Sequence, residues 1–232
     1  MYHCDICNDE GFTYHDDDEG RFIAVPCTCR EIRNSIRLIE NSGITDAFLR
    51  CTFDSYKTMN LESLQRGKRQ AEKYVEDFLD IEKKTRNSIL FSGQVGAGKT
   101  HLGIAIIQEL IQKGIAVSYM PYRTAVTKLK QNIVNDEAVY EKELNQYRKA
   151  RVLFIDDFLK GKITESDINM MYEIVNYRYM NQLPMIISTE KSLKELIQFD
   201  EAIGSRIIEM SREHVVVFKD KSLNYRLKQE VV

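Results

Sequence analysis

Gly93-Gln94-Val95-Gly96-Ala97-Gly98-Lys99-Thr100 satisfies the phosphate-loop pattern GxxxxGKT at every fixed position. Its flanks supply the context that pattern needs. Ile89-Leu90-Phe91-Ser92 reads as a short buried strand, and Leu102, Ile104, Ala105, Ile106, Ile107, Leu110 and Ile111 recur with helical period after it. Glycines let the backbone wrap an anion so that successive N–H groups and the positive end of the helix point at phosphate oxygens. In this arrangement Lys99 reaches the β- and γ-phosphates and the Thr100 hydroxyl ligates Mg²⁺. The chain is therefore expected to bind a nucleoside triphosphate.

Working outward, strand and helix alternate. Strands are expected over 89–92, 116–120, 152–155, 185–188 and 215–218, with helices over 61–84, from 99, twice between 122 and 148, over 165–181, 193–197 and 202–210. Such alternation specifies an α/β fold with a mostly parallel five-stranded sheet covered by helices. The strand Val152-Leu153-Phe154-Ile155 runs into Asp156-Asp157 about 50 residues beyond the loop. Strand ends often meet turns at aspartate, but paired with a phosphate loop the two acids gain a role. Asp156 is expected to hold the Mg²⁺ shell, and Asp157 to orient or deprotonate the attacking water. Asp157 is shorter than a glutamate, which points to slow hydrolysis suited to a switch. Arg206, in Gly204-Ser205-Arg206, carries two readings: a finger that reaches a neighbouring subunit's γ-phosphate, or a surface ion pair.

The first 30 residues hold four of the five cysteines, as Cys4-x-x-Cys7 and Cys27-x-Cys29 separated by 19 residues. The interval reads as two strands, 11–14 and 21–25, joined by the acidic turn Asp16-Asp17-Asp18-Glu19-Gly20. Two close pairs flanking a hairpin suit a structural tetrahedral thiolate cage for Zn²⁺, with His3 or His15 as alternative ligands. So short a segment cannot bury enough apolar surface to fold alone, and a metal would supply what is missing. A helix follows over 30–41 and a boundary over 41–50, giving a head and linker helix over 1–45 and an ATPase body over 46–232. Cys51 stands apart as a buried small residue.

Composition narrows the class. At 232 residues with 43% hydrophobic and 29% charged residues, the chain is sized for one α/β core plus an appendage. No apolar run reaches the ~18 residues of a membrane span, and the N-terminus lacks the signature of a secretory leader. A soluble, cytoplasmic protein with reduced thiols is expected. The formal net charge of −2 gives no bulk attraction to nucleic acid and leaves only a local basic groove.

Gly98-Lys99-Thr100-His101-Leu102, the Ile155-Asp156-Asp157 strand end and Gly204-Ser205-Arg206 together resemble the AAA+ helicase loaders of the DnaC/DnaI type, phage-encoded versions included, with the transposition helper IstB as a relative. The resemblance spans roughly residues 50–225, and the cysteine head resembles the N-terminal segments of DnaI-like loaders. It implies an AAA+ sheet, ATP as ligand with His101 counted among the nucleotide-binding stretch, self-association through the ATP sites, and single-stranded DNA binding in the assembly. It also implies a DnaB-type replicative helicase as partner of residues 1–45. Tyr122, Arg123, Lys128 and Lys130 lie where the family faces DNA, against the reading of a solvated amphipathic helix. Lys160 and Lys162 are similarly ambiguous. Phe53 and Tyr56 lie where the family packs adenine, or serve as ordinary core. The position at which the family senses γ-phosphate with asparagine reads Ser188-Thr189-Glu190, leaving Thr189 or Glu190 for that role. The sequence stops soon after its fifth strand, so no full helical lid is expected. Two other functions remain: an IstB-like transposase helper, and a regulator that blocks a host helicase loader.

Overall fold

A computed structural model describes residues 3–41 and 50–219. Of the expected boundary at 41–50, residues 42–49 lie outside the described ones. So does the stretch 220–232, on which the expected lack of a helical lid turns.

The head opens with an antiparallel hairpin, β1 (Phe12–Asp16) and β2 (Phe22–Pro26), in which Thr13 faces Val25 and His15 faces Ile23. It continues into helix α1 (Cys29–Asn41). In the body, helix α2 (Glu62–Ile81) is followed by strand β3 (Ile89–Gly93), α3 (Lys99–Gln112), β4 (Val117–Pro121), α4 (Tyr122–Asn135) and α5 (Glu137–Lys149). Then come β5 (Val152–Phe158), α6 (Glu165–Met180), β6 (Met185–Thr189), α7 (Leu193–Phe199), α8 (Glu201–Met210) and β7 (Val215–Phe218). The expected alternation is present throughout, with ends moved by up to three residues, as where α2 stops at Ile81 and β5 runs on to Phe158.

The five body strands are parallel and lie in the order β4-β5-β6-β3-β7. This order inserts β6 between the strand that feeds the phosphate loop and the strand that ends in the two acids. Alternate side chains leave the sheet on opposite faces. Ile89 and Phe91 of β3, Phe154 of β5 and Ile186 of β6 join a core with α1, α2 and α3. Leu90, Leu153, Ile155 and Ile187 join a second core with α4 to α8. Helices on both faces explain why these strands are apolar along their whole length rather than alternating.

Helix α3 is buried on nearly every side, which is why Leu102, Ile104, Ile106, Ile107 and Leu110 leave it no polar stripe. Helix starts are fixed by local chemistry: Asp136 accepts from the Ala138 and Val139 amides at α5, and Thr164 with Asp167 forms a capping box at α6. The C-terminal carbonyls of α5 are met by Arg178 of α6, which is fully buried. Its Nη1 donates to the Tyr147, Arg148 and Ala150 carbonyls and its Nη2 to Pro184.

The head is not a free appendage. Ile32 and Ile39 of α1 are buried in the first core, and the Val117 amide on the sheet's outer strand donates to Ser35 Oγ at 3.1 Å. The cysteine cluster is thereby mounted on the edge strand β4.

Candidate nucleotide site and cysteine cluster

The phosphate loop is held from two sides. Where β3 ends, Gly93 adopts φ +110°, and a Cβ there would sit 2.2 Å from the Phe218 carbonyl oxygen of β7. The Gln94 amide donates to that same oxygen at 2.8 Å. At the other end Gly98 caps α3 with φ +79°, and a Cβ there would meet the Tyr56 ring at 2.5 Å. Tyr56 donates its hydroxyl to the Ala97 carbonyl at 2.7 Å. Only glycine fits both positions, so the loop's shape is set before any ligand arrives.

Lys99 is buried, and its Nζ donates to the Gly93 and Gln94 carbonyls at 2.8 Å each. Burial lowers its pKa. Both of those acceptors are neutral, so the ammonium has no carboxylate partner among the described residues. A buried cation beside loop amides and the N-terminus of a 14-residue helix is a donor set that fits a phosphate anion.

Opposite the loop stand the acids. Thr100 Oγ1 donates to Asp156 Oδ1 at 2.8 Å, closing a gap of 56 residues in sequence. Ser188 Oγ of β6 donates to the same oxygen at 2.5 Å, and the Tyr119 hydroxyl of β4 donates to Oδ2 at 3.1 Å. Burial raises the Asp156 pKa, while the bonds from Ser188 and Thr100 pull it down. A hydroxyl and a nearly buried carboxylate side by side fit a hard divalent cation such as Mg²⁺. Asp157, the penultimate residue of β5, adopts φ +56° at an irregularity in the β5–β6 pairing, and its amide donates to Ser188 Oγ at 2.8 Å. Its carboxylate accepts from Lys160 Nζ at 2.7 Å.

Val95, Gly96, Ala97, Gly98, Lys99, Thr100, His101, Tyr56, Asp157, Lys160 and Glu190 share one cleft of about 680 Å³. Six of the eight predicted loop residues, Val95 to Thr100, thus come together there with Asp157, while Gly93 and Gln94 lie outside the lining and Asp156 stands behind Thr100. His101 lines the cleft with its imidazole already engaged: Nε2 lies 2.8 Å from the Thr52 carbonyl and 3.2 Å from Ser55 Oγ. It ties the segment before α2 against α3. Of the two residues that stand where the family senses phosphate, Thr189 is buried and donates to the Phe158 carbonyl at 2.8 Å, whereas Glu190 faces the cleft. Ser188 and Tyr119, which hold Asp156, were not singled out by their sequence.

Other expected residues stand elsewhere. Arg206 is absent from the cleft lining; its guanidinium rests over the rings of Tyr172 and Tyr179 on α6, and its Nη1 donates to the Ala202 carbonyl at 2.7 Å. Tyr122 is buried against Phe158, Lys128 pairs with Glu143, and Lys130 pairs with Asp167. Arg123 and Lys162 are exposed. Phe53 packs half-buried on the first core.

In the head, the sulfurs of Cys4, Cys7, Cys27 and Cys29 lie within 4.8 Å of one another and are buried. The Gly11 amide donates to Cys7 Sγ at 3.3 Å, orienting that sulfur. His3 pairs with Asp9, and His15 meets Thr13; neither ring joins the cluster. Four convergent sulfurs with an N–H···S bond from the surrounding backbone fit a tetrahedral Zn²⁺ cage with no open position.

Comparisons with known proteins agree with this geometry. The family described as IstB-like ATP binding protein matches residues 33–231. The phage-like element PBSX protein XkdC of Bacillus subtilis (strain 168) is 36% identical over 235 residues, covering 97% of this chain and 86% of that protein. The replicative helicase loader DnaC of Escherichia coli (strain K12) is 28% identical over 178 residues, covering 76% of this chain and 69% of that one. Among solved structures, the DnaC helicase loader superposes with a TM-score of 0.63 at 22% identity, covering 75% of this chain and 99% of that one. That likeness is one of fold. No helix among the described residues is long and apolar enough to cross a membrane.

Proposed function

The chain belongs to the IstB-like ATP-binding family and is an ATP-hydrolysing P-loop protein of AAA+ architecture, and from that premise we propose that it is a helicase loader. In this reading it binds a replicative hexameric helicase of the DnaB type through residues 1–45 and assists its placement on single-stranded DNA. The observation that carries the proposal is the cysteine cluster fixed by α1 to the edge of the ATPase sheet, so that the head moves as the body moves. A body similar to the loader DnaC over three quarters of the chain supports it.

At the nucleotide site, Gly93 to Thr100 with His101 behind them embrace the ATP phosphates, and Lys99 exchanges its two carbonyl acceptors for phosphate oxygens. Thr100 and Asp156 would hold Mg²⁺, which would supply positive charge to offset that of the triphosphate. Asp157 accepts the proton of the attacking water or orients it. Arg206, turned away from its own chain's cleft, serves the site of a neighbouring copy, so that hydrolysis follows self-association. Cys4, Cys7, Cys27 and Cys29 hold Zn²⁺, which stabilises a head too small to fold on apolar burial alone.

Mixing the full chain with the replicative helicase of the same cell, with and without ATP, tests the reading. A complex that survives gel filtration and disappears with Cys7→Ser supports it. Absence of that complex together with ATP-dependent coating of duplex DNA would favour a transposase helper; a complex that prevents helicase loading would favour a regulator.

A further inference from the structure

The strand end that carries Asp157 does not simply stop. Asp157 and Leu159 both adopt left-handed backbone, φ +56° and +61°, and Gly161 follows at φ +93°. Non-glycine residues hold such conformations only where their surroundings fix them, and they gather at functional sites. Here Phe158 and Leu159 are buried in the second core, and Thr189 donates to the Phe158 carbonyl at 2.8 Å. The Lys160 amide closes the turn onto the Asp157 carbonyl at 3.1 Å. Lys160 therefore has its direction set from both sides. Its Nζ bridges Asp157 Oδ2 at 2.7 Å and Glu190 Oε1 at 3.3 Å, and all three side chains line the cleft that holds Lys99 and Thr100.

We infer that Lys160 senses the terminal phosphate of ATP, exchanging Asp157 and Glu190 for a γ-phosphate oxygen and thereby releasing the Asp157 carboxylate to act on water. Magnitudes favour exchange over a permanent lock. The three side chains are 36–41% exposed, and ion pairs so exposed to water hold weakly. A triphosphate oxygen is a stronger, charge-assisted acceptor in the same cleft. Glu190 then acts as the competitor that holds Lys160 when no terminal phosphate is present.

The inference rests on ATP binding at the phosphate loop, and its test separates the two. Calorimetry on the full chain with Mg²⁺ would compare ADP with a non-hydrolysable ATP analogue. For Lys160→Ala, the analogue's Kd should rise about tenfold while that of ADP stays within about twofold. Lys160→Arg should keep the wild-type preference. Glu190→Gln should shift the analogue the opposite way, tightening it by about two- to fivefold. A role confined to stabilising the turn would move both nucleotides together, and both variants in the same direction. Equal effects on the two nucleotides, no effect on either, or weakening by Glu190→Gln would overturn the inference. Wild-type protein that takes up neither nucleotide would instead overturn the ATP site itself.

Discussion

Ser188→Ala removes one hydroxyl that serves both acids at once, and its cost can be worked from the geometry. Ser188 is fully buried, its Oγ donates to Asp156 Oδ1 at 2.5 Å, and it accepts from the Asp157 amide at 2.8 Å. A hydrogen bond to a charged group contributes roughly 1.5–3 kcal/mol, and the loss leaves a nearly buried carboxylate with one donor fewer. The Asp157 amide is only part-buried, so water replaces much of its lost acceptor. The variant should therefore be less stable by about 2–3 kcal/mol at neutral pH, or about 5–10 °C in Tm for a chain of this size. The pH dependence identifies the cause. Burial already holds the Asp156 pKa above its unfolded value, and deleting Ser188 takes away the first opposing bond. A raised carboxylate pKa means that the folded state takes up a proton more readily than the unfolded one, so the destabilisation is full above the raised pKa and shrinks as pH falls through it. Thermal unfolding of wild type and variant at pH 7.5 and pH 4.5, without Mg²⁺, should show a gap that narrows at the lower pH. An equal gap at both would assign the loss to packing, and no gap would mean that the hydroxyl supports neither acid.

Three further outcomes are expected. Zinc analysis of the purified chain should find one ion per molecule, and Cys7→Ser should lose it and lower the melting of the head while leaving ATP uptake by the body intact; zinc retained at full occupancy would count against the four-sulfur cage. Arg206→Ala should leave nucleotide affinity of the monomer within about twofold but reduce turnover of the assembled protein by at least tenfold, and undiminished turnover in the assembly would remove the finger role. Burial lowers the pKa of His101 and His214 below the ordinary imidazole value, so the folded protein protonates both less readily than the unfolded chain does. The unfolded chain then binds more protons below pH ~6.5, and stability falls as pH drops from 7 towards 5.5. His214→Gln should flatten that loss in thermal scans, and an unchanged slope would contradict the assignment.

The loop, the strand that feeds it and the acid pair were legible because each is contiguous in sequence and each carries a period or a spacing. Ser188 and Tyr119 were not. A serine or tyrosine within an apolar strand gives no local sign of its neighbour, and their convergence on Asp156 depends on β6 lying between β3 and β5, an order that sequence adjacency does not reveal. Arg178 gives no sign in the sequence of its burial, yet its guanidinium meets three carbonyls at the end of α5 and that of Pro184 before β6. The cysteine spacing announced a cage, while the docking of α1 on β4 through Ile32, Ile39 and Ser35 needed the folded molecule. Tyr122, Lys128 and Lys130 have the chemistry of a DNA-facing helix, and nothing in their sequence announces that the first packs on Phe158 or that the lysines pair with Glu143 and Asp167.

Anion capture by the loop is tested most directly by titration of ADP and ATP into the pure, full-length chain with and without Mg²⁺. Wild type should take up one equivalent of nucleotide, with ATP strengthened by Mg²⁺, and Lys99→Ala should show no measurable heat of binding under the same conditions. Undiminished uptake by Lys99→Ala, or no magnesium-dependent uptake by wild type, would contradict the central claim.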